Sequence, residues 1–217
     1  MIDIQRWMEQ YCRDVRKMFG ARVRFVGLQG SFARGQAREG SDIDAVLILD
    51  VFTMEDLCAY RRLLDAMPHR AQTCGFVCGV EELQGWSRAD LFQLYYDTRA
   101  WYGSLEEMIP LFTREEAREA ARMGAGNLYH GCCHSMLHGV PEKSFPSMCK
   151  AAYFVLQAVC FARTGTYPGS QEEMRAGCRP EELEILAMAE SRGNGAEAVS
   201  GMMKLASFAG SVLRQEA

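Results

Sequence analysis

The sequence predicts an α+β protein: a small mixed sheet with flanking helices over residues 1–110, followed by an all-α helical bundle over residues 111–217. Three observations lead there. Up to about residue 110, segments with helical period alternate with short apolar runs of strand length. From Thr113 onward only helical periodicity remains. The 217 residues, 48% of them hydrophobic and 24% charged, suffice for one large core or two small ones.

Asp3 can cap a first helix, in which Ile4, Trp7, Met8, Tyr11, Val15, Met18 and Phe19 recur at helical spacing until Gly20 stops it. Val23 to Leu28 reads as a strand, and a glycine-rich segment follows. A charged loop, Gln36 to Ser41, leads into a second strand, where Ile43 and Val46 to Leu49 form the near-continuous apolar run of a strand buried on both faces. Met54 to Met67 reads as a helix ended by Pro68, and Ala71 to Val80 as a third strand. Leu91 to Tyr96 and Ala100 to Tyr102 fit helix or strand equally. Thr113 and Glu116 make a capping box for a helix that runs to about His138 and closes at Gly139 and Pro141. Ser144 starts a helix apolar on nearly every side from Met148 to Ala162, as expected in the middle of a bundle. Pro180 opens another helix, which Gly193-Asn194-Gly195 breaks. A last one uses Val199, Met202, Met203, Ala206, Gly210 and Leu213 as its apolar stripe.

Composition narrows the function. A formal net charge of -4 lacks the basic surplus that a long nucleic-acid track requires, so a small substrate is expected instead. The charged, amphipathic start is no export signal, and no apolar run approaches a membrane span. Nine cysteines, an odd number without a regular framework, then read as reduced thiols in a cytoplasmic protein. Cys78, Cys149 and Cys160 sit in apolar stretches, where cysteine acts as a small hydrophobe.

The chemistry concentrates in Gly30-Ser31-Phe32-Ala33-Arg34-Gly35, followed after six residues by Asp42-Ile43-Asp44. Gly30 follows a strand and lets the backbone approach a ligand closely. Ser31 adds a hydroxyl, and free N–H groups at a strand-to-helix turn suit phosphate oxygens. Asp42 and Asp44, two residues apart on a strand, share a face while Ile43 points into the core. Paired carboxylates repel unless a cation sits between them, and such hard oxygen ligands suit Mg²⁺ completed by water and phosphate. Singly, each feature is also compatible with an ordinary turn or cap; together they are the parts that metal-assisted nucleotidyl transfer needs.

Gly30-Ser31-Phe32-Ala33-Arg34-Gly35 with Ser41-Asp42-Ile43-Asp44 resembles the signature of the DNA polymerase β-type nucleotidyltransferase superfamily, in particular its small bacterial members. The resemblance implies that Gly30 and Ser31 contact the nucleotide triphosphate and that Asp42 and Asp44 bind Mg²⁺. It assigns Arg34 and Ser41 less specific nucleotide-binding positions. It also implies a third carboxylate on a later strand, often a general base. The strand at Ala71 to Val80 holds no acid; Glu81 and Glu82 follow it and Asp97 lies further on. Glu81 is the expected catalytic residue by position and type, with opening of the next helix as the alternative use of the two glutamates.

The helical half resembles the bundles of the kanamycin nucleotidyltransferase C-terminal and HEPN group, on Lys150 to Gln157 followed by Thr164-Gly165-Thr166-Tyr167-Pro168. His130, His134 and His138 stripe one helix face and could chelate a metal, line a substrate cleft or form a polar seam. Seven residues separate Arg122 from His130, which does not match the ribonuclease motif of that group. Tyr95, Tyr96, Trp86 and Trp101 fit a base-stacking surface or, more simply, core packing.

The function so implied is Mg²⁺-dependent transfer of a nucleoside monophosphate, AMP from ATP first among the options, to a hydroxyl of an antibiotic-like small-molecule acceptor. The alternative is a nucleotide-binding or regulatory module of weak or no turnover, antitoxin-like. The expected partners are the nucleoside triphosphate and the acceptor, with homodimerisation open and neither membrane nor nucleic acid involved.

Overall fold

The computed structural model describes residues 2–191 and 197–214. The chain divides into two compact units: Met1–Ser87 with Leu94–Leu111, and Arg88–Gln93 with Phe112–Ala217.

In the first unit, helix α1 (Ile4–Phe19) starts where the Asp3 side chain accepts from the Arg6 N–H and ends at Gly20, φ +60°. It buries the stripe Trp7, Met8, Tyr11, Val15 and Phe19. Strand β1 (Val23–Gln29) runs into the short helix α2 (Gly30–Ala33), and β2 (Ile43–Leu49) follows a loop. Helix α3 (Met54–Ala66) opens on a capping box of Thr53 and Asp56. Then come β3 (Thr73–Gly79), α4 (Val80–Gly85), α5 (Arg88–Asp97), whose residues 88–93 belong to the second unit, and β4 (Arg99–Tyr102).

The strands lie in the order β3-β2-β1-β4. β1 is antiparallel to β2 and β4, and β2 is parallel to β3, so the sheet is mixed. Alternation along β2 sends Ile43, Ala45, Leu47 and Leu49 into one core with the α1 stripe and with Tyr60, Leu63 and Met67. The opposite face carries Asp44, Val46 and Ile48. The two ambiguous segments resolve as helix α5 and strand β4. The decision for β4 comes from pairing with Val26 to Leu28, some seventy residues earlier, which short-range periodicity does not encode.

The second unit packs α6 (Arg114–His138), α7 (Pro141–Thr164), α8 (Gln171–Gly177), α9 (Leu183–Ser191) and α10 (Ala198–Arg214). The capping box at Thr113 and Glu116 opens α6 as expected. Helix α7 begins at Pro141 rather than Ser144, because proline suits a first helical position, where no N–H is needed. Helix α8 was not expected; the Ser170–Glu173 capping box starts it. Pro180 opens a single 3₁₀ turn, Pro180–Glu182, ahead of α9. The break expected at Gly193-Asn194-Gly195 lies outside the described residues.

Two further expectations are corrected. α10 buries Ala198, Gly201, Met202, Leu205, Ala209, Gly210 and Val212, so Met202 and Gly210 of the expected stripe are buried, while Val199, Met203 and Leu213 are exposed. The helix is apolar on several sides, and close approach chooses among them: a Cβ on Gly201 would meet the Phe145 ring at 2.1 Å. Helix α7 does reach a membrane-spanning length and apolarity, but half of that stretch is buried within the unit, as in a central bundle helix. All nine cysteines are free, and burial pushes the thiols of Cys78 and Cys132 up to about 12.

Candidate active site

The order of the strands gathers four chain segments at one end of the sheet. β1 ends where its antiparallel neighbours β2 and β4 begin, and β3 begins there too because it is parallel to β2. Gln29 pairs with Asp44, Leu28 with Arg99, and Asp44 with Cys74.

The turn after β1 is built on Gly30. Its φ of +75° suits a residue without a Cβ, and a Cβ placed there would lie 2.1 Å from Asp44 Oδ2. The backbone of the turn therefore rests directly on the Asp44 carboxylate. The turn is held by the Arg34 N–H donating to Gly30 O at 3.2 Å and the Gln36 N–H donating to Ser31 O at 2.8 Å. Ser31, partly buried, is the second residue of α2.

Asp44 is the second residue of β2 and is partly buried; Asp42, exposed, stands one residue ahead of the strand. Ile43 between them is fully buried in the core, which fixes the faces of its neighbours. Ser41 closes the loop before them: its Oγ accepts from the Arg38 N–H at 2.9 Å, and its carbonyl accepts from Gln72 Nε2 at 3.5 Å. The Ser41 hydroxyl thus accepts within the loop ahead of Asp42 and keeps its O–H to donate.

Arg34 also has an internal partner. Its Nη1 donates to both oxygens of Asp97, at 2.5 Å to Oδ1, and its Nε to Gln36 Oε1 at 3.3 Å. The side chains are 15% and 3% exposed. The pair ties the glycine-rich turn to the end of α5.

Glu81 is not brought to this end of the sheet. It is exposed in the first turn of α4, beyond the last residue of β3, and Gly79 there pairs with Leu49. Five residues of strand separate Leu49 from Asp44, a rise of roughly 17 Å. The β3 residue beside Asp44 is Cys74, which is exposed. Sequence reasoning passed over Cys74 because the register of β3 against β2 has no local signal. Among the described residues no group of three or more His, Cys, Asp or Glu gathers as a metal cluster. Asp42 and Asp44 would be the residues to hold a Mg²⁺, supplying hard carboxylate oxygens that the ion prefers.

Elsewhere, His130, His134 and His138 lie on an exposed face of α6 with ring centroids 5.8 and 5.3 Å apart in sequence. Trp86 packs on Phe76 at 5.1 Å, Trp101 lies against the core of the first unit, and Tyr95 and Tyr96 contact each other edge-on at 4.9 Å.

A mixed sheet whose one end sets a Gly-Ser turn on the Asp44 carboxylate of an Asp-x-Asp strand is the arrangement expected of a nucleotidyltransferase. Residues 8–98 match the family described as the nucleotidyltransferase domain. The matched segment, which holds Gly30, Ser31, Asp42 and Asp44, is similar to nucleotidyltransferase domains. Among solved structures the chain is similar to the spectinomycin adenyltransferase AAD(9) from Enterococcus faecialis, solved with ATP and spectinomycin. The TM-score is 0.59 at 13% identity, over 97% of this chain and 99% of that one. No curated protein sequence matches.

Proposed function

We propose that the protein transfers a nucleoside monophosphate, AMP from ATP, to a hydroxyl of a small-molecule acceptor of the antibiotic class, with Mg²⁺ held by Asp42 and Asp44. The observation that carries this reading is the seat of Gly30 on the Asp44 carboxylate, which leaves no side chain between the turn and the acid. Gly30 and Ser31 would then hold the triphosphate by backbone N–H groups and a hydroxyl. Asp42 and Asp44 would supply hard oxygen ligands on one side of it. Arg34, paired with Asp97, would set the turn rather than grip phosphate. The metal, when bound, offsets phosphate charge and activates the acceptor oxygen. The likeness to a structure solved with ATP and spectinomycin supports this choice of nucleotide and acceptor class.

The test is pyrophosphate release from Mg-ATP across spectinomycin, aminoglycosides and lincosamides. Asp44→Ala and Asp42→Ala are expected to abolish release while the melting temperature holds. Near-wild-type turnover in either variant would sink the assignment.

The position of Cys74 favours a second reading, in which the site binds Mg-nucleotide but turns over little. No acid stands beside Asp44 on β3, so a general base would have to come with the acceptor. Calorimetric binding of Mg-ATP without pyrophosphate from any acceptor would select this reading.

A further inference from the structure

A second concentration of charge lies wholly within the helical unit. A cavity of about 280 Å³ is lined by Arg114, Arg118 and Arg122 of α6, Arg163 of α7, Arg179, and one carboxylate, Glu182. In a chain of net charge -4, this lining runs against the trend. Guanidinium groups stay charged at any ordinary pH. The three arginines of α6 stand at i, i+4 and i+8, a spacing that puts like charges on one helix face and weakens the helix unless an anion offsets them.

The single acid is already committed. Glu182 is buried; both its oxygens accept from Arg163 Nη2 at 2.9 Å, and Oε2 accepts the Arg179 backbone N–H at 2.7 Å. It neutralises one guanidinium and pins the turn that carries Arg179. Arg114 Nη2 donates to the carbonyl of Thr164 at 2.9 Å, a neutral partner that fixes the side chain and leaves its charge in place. Arg118 pairs with Glu115, whose side chain is 64% exposed and does not line the cavity. Arg114, Arg118 and Arg163 are thus held in position at a concave space whose lining counts five guanidinium groups and one carboxylate.

We propose that this cavity is a metal-independent binding site for a small compound bearing a di- or triphosphate group. Planar guanidinium forks match phosphate oxygens two at a time, and several of them around one pocket recognise multiple charge rather than a single one. The volume falls near the lower end of small-ligand pockets, suited to an oligophosphate rather than a macromolecular surface. None of the lining residues belongs to the unit that holds Gly30, Asp42 and Asp44, so the proposal stands apart from the reading of that site.

The probe is inorganic triphosphate, titrated calorimetrically into the full chain at low salt without divalent metal. One site is expected. Arg118→Gln combined with Arg179→Gln, both exposed side chains, should weaken binding at least tenfold while the melting temperature is kept. If melting falls, Arg179→Lys, which keeps the charge and loses the fork, should still weaken binding severalfold. Arg175→Gln, which removes an arginine outside the cavity that pairs with Glu190, should leave affinity unchanged. Asp44→Ala should abolish nucleotidyl transfer and leave triphosphate binding intact. Equal binding by the wild type and the Arg118/Arg179 double variant would overturn the proposal. So would an equal loss in Arg175→Gln, which marks general surface charge, or loss in Asp44→Ala alone, which places the anion at the other site. Displacement of triphosphate by an RNA oligonucleotide of higher affinity would make the ligand macromolecular and equally overturn it.

Discussion

Replacing Gly30 by alanine adds one methyl group at the point where the turn after β1 meets the Asp44 carboxylate. Two costs follow. The φ of +75° lies in the left-handed region, where a residue with a Cβ pays ~1–2 kcal/mol. The new Cβ would sit 2.1 Å from Asp44 Oδ2, whereas carbon and oxygen ordinarily approach to about 3.3 Å. The carboxylate or the turn must therefore move by about 1 Å, and a displacement of that size at a reacting centre costs about a hundredfold in rate. The first cost appears in the fold: melting of a unit of this size should fall by roughly 5–10 °C. The second adds to that melting loss wherever the Asp44 side chain is present, and it lowers pyrophosphate release from Mg-ATP by about two orders of magnitude. A double-mutant cycle separates them. In an Asp44→Ala background the contact is gone, so Gly30→Ala should cost only the backbone part, and the difference is the coupling between turn and acid. Wild-type turnover in Gly30→Ala, or a melting loss just as large without the Asp44 side chain, would refute the idea that the turn is seated on this carboxylate.

Three further outcomes are expected. Arg34→Ala leaves the Asp97 carboxylate, 3% exposed, without its cation, and should cost ~3–5 kcal/mol in urea unfolding; replacing both residues by apolar ones should cost much less. The Arg88 guanidinium, with help from Thr113, holds the Glu116 carboxyl at about 2 instead of 4.5. This depressed value means stability that is present above pH 4.5 and lost as pH falls toward 2. Because Glu116 is 27% exposed, solvent screening reduces the contribution to ~1 kcal/mol. Melting curves between pH 6 and 3 should show that slope in the wild type and a shallower one in Arg88→Gln. Finally, Cys74→Asp places a carboxylate beside Asp44, and pyrophosphate release should rise by about tenfold or more, while Glu81→Gln should leave it unchanged. Loss of activity in Glu81→Gln with no gain in Cys74→Asp would restore Glu81 as the third acid.

Features set by neighbouring residues were legible in the sequence. The α1 stripe, the capping boxes at Thr113 and the burial of Ile43 between two aspartates follow from periods and caps that need nothing beyond a few residues of chain. The Gly30 turn was legible as a close approach of backbone to something; only the structure names the Asp44 carboxylate as what it approaches. Arg34 was expected among the nucleotide-binding residues; its pairing with Asp97, 63 residues away, has no signal local to either residue. The α10 stripe slipped because an apolar helix offers several equivalent faces until Phe145 and its neighbours select one.

The third carboxylate shows where this division bites hardest. Along the chain, the first acids after β3 are Glu81 and Glu82, so proximity to the strand favoured them. In space the direction of the strand decides. Because β3 runs parallel to β2, its last residue lies with Leu49 and its first residues lie with Asp44. An acid that follows β3 is thus carried to the other end, and a residue near its start, Cys74, occupies the place beside Asp44. Had β3 been antiparallel to β2, the same sequence would have set Glu81 near Asp44. One bit of topology, absent from composition and spacing alike, therefore separates a complete acidic triad from a pair. It also makes the Cys74→Asp and Glu81→Gln comparison a direct test of how much catalysis the pair supports alone.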